Sequence, residues 1–156
     1  MNLNWPRCEC TRRCGCSGGH HSFGPYYQKL LEKVKPTKIF EWGPGLNTEL
    51  GLLFTQNIIS VEDVKKWMPD KLLKGQSIIF TRTDTEDYVQ SASHYADADI
   101  FFVDARRRGE CLELAHKIKK PSAYVCLHDA QRSRYHNALS LYSEVEFPHK
   151  GFAICK

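Results

Sequence analysis

Residues 100–103 read Ile-Phe-Phe-Val, set between Asp99 and Asp104. Four consecutive large apolar side chains place apolar groups on both sides of an extended backbone, and a run this short is a strand rather than a helix core. A strand apolar on both sides belongs in a sheet covered on both faces, which is the situation of parallel strands sandwiched by helices. Similar runs recur at Ile39–Trp42, Ile58–Val61, Ser77–Phe80 and Ala123–Leu127. Between them the spacing turns helical. Tyr27, Leu30, Leu31 and Val34 fall at i, i+3, i+4 and i+7 behind Pro25, and Lys35-Pro36-Thr37 ends that helix. Leu50, Leu52, Leu53 and Phe54 mark a short helix, Asp63–Met68 another with Val64, Trp67 and Met68 inward, and Tyr88 and Val89 a third. Glu110–Lys120 buries Cys111, Leu114, Ala115 and Ile118, and a last helix carries Tyr135, Ala138, Leu139 and Tyr142. The chain ends in a period-two run, 143–147, a turn at 148–151 and a final strand at Phe152–Cys155. Five strands alternating with helices and then a hairpin predict an α/β domain of three layers around a mostly parallel sheet of seven strands.

A chain of 156 residues has room for one such domain, assigned to 24–156, with 42% hydrophobic and 26% charged residues. No apolar run approaches the ~20 residues of a membrane span, and no apolar leader opens the sequence, so a cytoplasmic protein with no membrane partner is expected. The formal charge of +4 is too small to argue for nucleic acid by itself, although Arg106-Arg107-Arg108 and Arg132 with Arg134 are clustered. Cys111, Cys126 and Cys155 sit in apolar patterns and read as buried free thiols. Residues 1–23 differ in kind. Cys8, Cys10, Cys14 and Cys16 follow C-x-C-x3-C-x-C ahead of Gly18-Gly19-His20-His21. Four thiols, or three with His20 or His21, can hold zinc; a reduced tail or a disulfide-prone extension is the other reading.

The best clue to function is the stretch 38–48. Gly43 and Gly45 follow a strand, letting the backbone turn and come close to a ligand, and Thr48 or Asn47 can cap a helix beginning at Glu49. A dinucleotide fingerprint would place a third glycine where Thr48 stands, and no phosphate-binding P-loop motif occurs. With Glu41 ahead of the loop, Glu-x-Gly-x-Gly, and Glu62 ending the second strand, the chain resembles the class I S-adenosylmethionine-dependent methyltransferases over residues 24–156. The resemblance implies a Rossmann-like fold whose last strand runs antiparallel. It also implies a cofactor site at Glu41, Gly43, Gly45 and Asn47, with Glu62 holding the ribose hydroxyls. Asp84 either meets the adenine amino group or caps the helix of Tyr88 and Val89.

In an open α/β sheet the ligand lies beyond the carboxyl ends of the strands. That brings Asp104, His128 and Asp129 together as candidate catalytic residues. Carboxylates at these places resemble the magnesium ligands of catechol-type and macrolide-sugar O-methyltransferases, although Ala130 stands where a third ligand, Asn, would be expected. Magnesium at Asp104 and Asp129 is one version; the metal-free version makes His128 a general base oriented by Asp129 or Asp104. Arg106, Arg107 and Arg132 would recognise a carboxylate or phosphate on a small-molecule acceptor, with nucleic acid a subset of that class for which no stacking array is present. Methyl transfer to oxygen or nitrogen is the expected reaction. Another reaction of the same cofactor, or a metal-binding interaction module, are the alternatives, and a homodimer is the default assembly.

Overall fold

The computed structural model describes residues 23–67 and 71–156. The expected cysteine ligands Cys8, Cys10, Cys14 and Cys16, with His20 and His21, lie outside the described residues. In chain order the elements are α1 (Gly24–Val34), β1 (Ile39–Trp42), α2 (Leu46–Gly51), β2 (Ile58–Glu62), β3 (Gln76–Phe80), α3 (Glu86–Gln90), β4 (Ile100–Val103), α4 (Arg108–Ile118), β5 (Tyr124–His128), α5 (His136–Leu139), β6 (Val145–His149) and β7 (Phe152–Cys155). Seven strands form one sheet in the order β3-β2-β1-β4-β5-β7-β6. All pairings among β1 to β5 are parallel, and β7 runs antiparallel to both β5 and β6.

The apolar runs are buried on both faces, as their composition requires. Ile39, Ile58, Ile100, Phe102, Cys126 and Phe152 pack beneath α1 and α2 with Tyr27, Leu30, Leu31 and Leu50. Phe40, Trp42, Val61, Phe101, Val103, Val125 and Leu127 face the other way, onto Tyr88, Cys111, Leu112, Ala115 and Leu139. The three cysteines in apolar patterns, Cys111, Cys126 and Cys155, are buried free thiols. No described helix is long and apolar enough to cross a membrane.

Register decides where the strands stop. Trp42 lies opposite Val61 on one side and Val103 on the other, so the chain leaves β1, β2 and β4 at one level, at Gly43, Glu62 and Asp104. The exits are tied together, Gly43 N–H donating to the Val61 carbonyl and Asp104 N–H to the Trp42 carbonyl, each at 2.9 Å.

Two predicted helices differ from expectation. After β2, where the sequence predicts a helix over Asp63–Met68, the described residues form a 3-10 turn, Lys65–Trp67, and Met68 lies outside the described residues. Glu62 Oε1 accepts the N–H groups of Asp63 and Val64 at 2.8 Å each, donors that the start of a helix there would leave without an intrahelical partner. Trp67 faces outward, 58% exposed, instead of packing. After the glycine loop, α2 starts at Leu46 rather than Glu49, and Asn47 and Thr48 are buried inside its first turn.

Candidate functional site

The level strand ends enclose a cleft of about 490 Å³ lined by Phe23, Gly43 to Asn47, Glu62 to Val64, Trp67, Asp104 to Arg106, Arg108, His128 and Asp129. Its size is that of an ordinary small-molecule site. It stands at the switch point between β1 and β4, where neighbouring strands connect in opposite directions across the sheet.

The floor is the 43–45 turn. Gly43 has φ +89°, and a Cβ there would overlap the Asp104 carbonyl oxygen. Glu41 does not line the cleft. It is fully buried behind the turn, where Asn47 Nδ2 donates to Oε2 at 2.7 Å, Ser60 Oγ to Oε1 at 2.5 Å, and Thr48 Oγ1 also to Oε1. Asn47 also donates to the Gly43 carbonyl at 3.2 Å, and Thr48 Oγ1 accepts the Gly45 N–H at 3.0 Å. Glu41 is therefore the anchor of the loop, not a wall of the cleft, and Thr48 replaces the third glycine because its hydroxyl is needed there. Burial pushes the Glu41 carboxyl up to about 7, with the Asp104 charge adding to it and the three side-chain hydrogen bonds opposing.

Glu62 closes the β2 side, almost fully buried at 6% exposure. Burial raises its pKa, while the two backbone N–H groups at Oε1 work the other way.

At the β4 and β5 ends, His128 Nδ1 lies 2.9 Å from Asp104 Oδ2. The His128 ring packs against Phe23, with centroids 4.8 Å apart. Asp129 takes a left-handed conformation, φ 60°. Burial acts upward on its pKa, but the neighbouring Arg108, His128 and Arg132 together outweigh it, so the net shift is downward. Arg108, expected with its neighbours to meet an anionic acceptor, turns onto the chain's own carboxylates. Its guanidinium lies between the two carboxylates, Nη2 3.0 Å from Asp104 Oδ1 and Nη1 3.1 Å from Asp129 Oδ2.

No family model matches the chain, and no curated protein matches it in sequence. Solved structures do match. The MycE methyltransferase of the mycinamycin biosynthetic pathway, in complex with Mg and SAH, superposes with a TM-score of 0.66 at 12% identity, over 86% of this chain and 45% of that one. The O-methyltransferase from Bacillus cereus in complex with SAH gives 0.65 at 15% identity, over 85% and 80%. A methyltransferase-like protein from Silicibacter pomeroyi gives 0.56 at 16% identity, over 86% of each chain.

The fold is that of the class I methyltransferases. The chain spans less than half of MycE and most of the other two.

Within this methyltransferase fold, Gly43, Gly45, Asn47, Glu62, Asp104, His128 and Asp129 converge on one cleft. Asp84 does not. It is exposed, paired to Arg82 across two hydrogen bonds, and opens onto a separate surface depression with Arg106 and Arg107. Nor does it cap α3: Thr85 is the N-cap residue, and no side-chain capping bond forms there. Asp63 is the inward acid on that side, with a side chain 9% exposed, receiving a hydrogen bond from Thr83 and facing Arg106 Nε at 3.4 Å. Arg107 also departs from expectation. Its guanidinium pairs with Glu110 and donates to the carbonyls of Thr83 and Thr85, so it ties the entry of α3 to α4 and does not line the cleft. Arg106 lines the cleft, and Arg132 pairs with Asp129 at 2.7 Å. The magnesium version meets an obstacle. The site between Asp104 and Asp129 is filled by a guanidinium, and among the described residues no group of three or more metal-ligating side chains forms.

Proposed function

We propose that the cleft binds S-adenosylmethionine and transfers its methyl group to an oxygen, or a nitrogen, of a small anionic acceptor. The observation that carries this reading is the convergence, in this fold, of the glycine turn, Glu62 and the His128–Asp104 pair on one cleft. Gly43 and Gly45 would floor the methionine part, Glu62 the ribose, and Val64 and the exposed Trp67 supply apolar surface for the adenine. When bound, the cofactor supplies an activated sulfonium methyl donor. With Asp104 2.9 Å from its Nδ1, His128 would present Nε2 to take the acceptor's proton as the acceptor–methyl bond forms and the sulfur–methyl bond breaks. Holding the two reactants in line would contribute more than the base does.

Next to the cleft, a depression of about 640 Å³ is lined by Ala105 to Glu110, Glu113, Arg132, Arg134 and Tyr135, five arginines against two glutamates. Arg134 is held by the Tyr135 hydroxyl at 2.7 Å and lies over that ring, with no carboxylate partner among the described residues. Guanidinia so placed suit an acceptor carrying carboxylate or phosphate.

Titration calorimetry with S-adenosylmethionine and S-adenosylhomocysteine tests the cofactor half. Micromolar binding is expected, weakened roughly 10–100-fold in Glu62→Ala, the value of a lost charged hydrogen bond. Failure of the wild type to bind either compound would end the proposal. In turnover assays with phenolic and carboxylate acceptors, His128→Ala is expected to lower kcat about 10²–10⁴-fold with cofactor affinity unchanged.

A further inference from the structure

The two strand-end carboxylates, Asp104 after β4 and Asp129 after β5, are placed as a divalent-ion pair would be, yet a side chain of the chain itself fills the space between them. Arg108, the first residue of α4, has a side chain only 12% exposed. Besides its two carboxylate contacts, Nη1 donates to the His128 carbonyl and Nε to the Ala105 carbonyl, both at 2.6 Å. Asp104 spends its other oxygen on His128, and Asp129 Oδ2 also meets Arg132. Two negative charges thus face two guanidinia, so the electrostatic attraction for a divalent cation is already cancelled. Magnesium needs oxygens at about 2.0–2.1 Å in an octahedron, which a planar guanidinium seated between the carboxylates prevents.

The backbone is shaped to bring this about. Arg107 and Asp129 are two of the three non-glycine residues with positive φ among the described residues, at 52° and 60°, and each abuts one side of the bridge. Such conformations persist where the surroundings over-determine them. Here the left-handed turn at Arg107 lets Arg107 reach across to α3 while Arg108 turns inward.

We propose that Arg108 is a positioning residue standing in for a divalent cation: it neutralises Asp104 and Asp129, fixes the Asp104 carboxylate against His128, and makes this cleft metal-independent. The inference concerns the carboxylate pair and holds whether or not the cleft transfers a methyl group.

Manganese(II) titration of the full chain, followed by the electron paramagnetic resonance signal of the free ion, tests it without reference to turnover. Wild type and Asp104→Asn are expected to give superimposable curves. Arg108→Met, which removes the charge and keeps the length, is expected to gain one site of roughly 0.1–1 mM affinity, typical of a sparse oxygen-ligand site. Combining Arg108→Met with Asp104→Asn should abolish that site. Arg108→Lys retains a cation and should exclude manganese as the wild type does. A wild-type site lost in Asp104→Asn overturns the proposal, as does a folded Arg108→Met that gains none. If circular dichroism shows Arg108→Met to be unfolded, the comparison of wild type with Asp104→Asn decides alone.

Discussion

Replacing Gly43 with alanine is expected to destabilise the protein by roughly 2–5 kcal/mol and to remove S-adenosylmethionine binding. Two costs add. At φ +89° an L side chain is strained, and the new Cβ would overlap the Asp104 carbonyl oxygen, come within 2.9 Å of its carbon and within 3.3 Å of Ala105 Cβ. Those are atoms of the β4 exit, fixed by the Asp104 N–H bond to Trp42, so no side-chain rotation relieves the overlap. The exit of β4 must move away from the glycine turn, which opens the cleft floor. For a domain of this size the melting temperature should fall by roughly 5–20 °C. Gly75→Ala is the control. Gly75 has φ +92°, and its added Cβ would lie 2.6 Å from Gln56 Cα, a comparable strain at the entry to β3, the end of the sheet away from the cleft. Both variants should melt early, but only Gly43→Ala should fail to bind cofactor at temperatures where it remains folded. Equal binding by the two variants would show that the glycine turn is not the cofactor floor.

The stability of the wild type should decline as pH rises from about 5 to 8, with a component of about 3 kcal/mol that disappears in Glu41→Gln. The folded-state pKa of Glu41 is raised by burial from 4.5 to about 7. Between those values the native state binds a proton that the unfolded chain has released, so this contribution is fully present below about pH 4.5 and is lost as pH rises through 7. Other groups also titrate. Glu62 is raised for the same reason, and Asp99, held by Lys120 and Thr37 to about 2 in spite of burial, contributes a constant amount across this range. The difference between wild type and Glu41→Gln isolates Glu41. Urea unfolding at pH 5 and pH 8 measures it: the variant should gain on the wild type by about 3 kcal/mol between the two. A pH-independent difference would mean that Glu41 is already charged at pH 5, with its three donors outweighing burial.

Much of the fold was legible because strand burial is a local property. Ile39–Trp42, Ile58–Glu62 and Ile100–Val103 are buried along their whole length, as uninterrupted apolar or near-apolar runs require. The glycine turn and Glu62 were legible too, since a turn residue after a strand and an acid at a strand end are read within a few positions. Where the reading failed, a second residue far along the chain decided the outcome. Asn47 and Thr48 are good N-cap residues in isolation, yet Gly45 is the N-cap and both side chains donate to the buried carboxyl of Glu41, Thr48 capping from the third helical position by accepting the Gly45 N–H. Asp84 sits after a strand as expected, but Arg82, two residues before it, holds it in solvent.

The sequence by itself determined the layers, the burial of the strands and the end of the sheet at which the glycine turn, Glu62, Asp104 and His128 gather, because hydrophobic period and turn chemistry act over short range. Only the tertiary structure decided which of three adjacent arginines turns inward. That choice rests on a left-handed turn at Arg107 and on two carboxylates, Asp104 and Asp129, brought to one point by neighbouring parallel strands: a charge finds its partner through space, and no spacing along the chain records it.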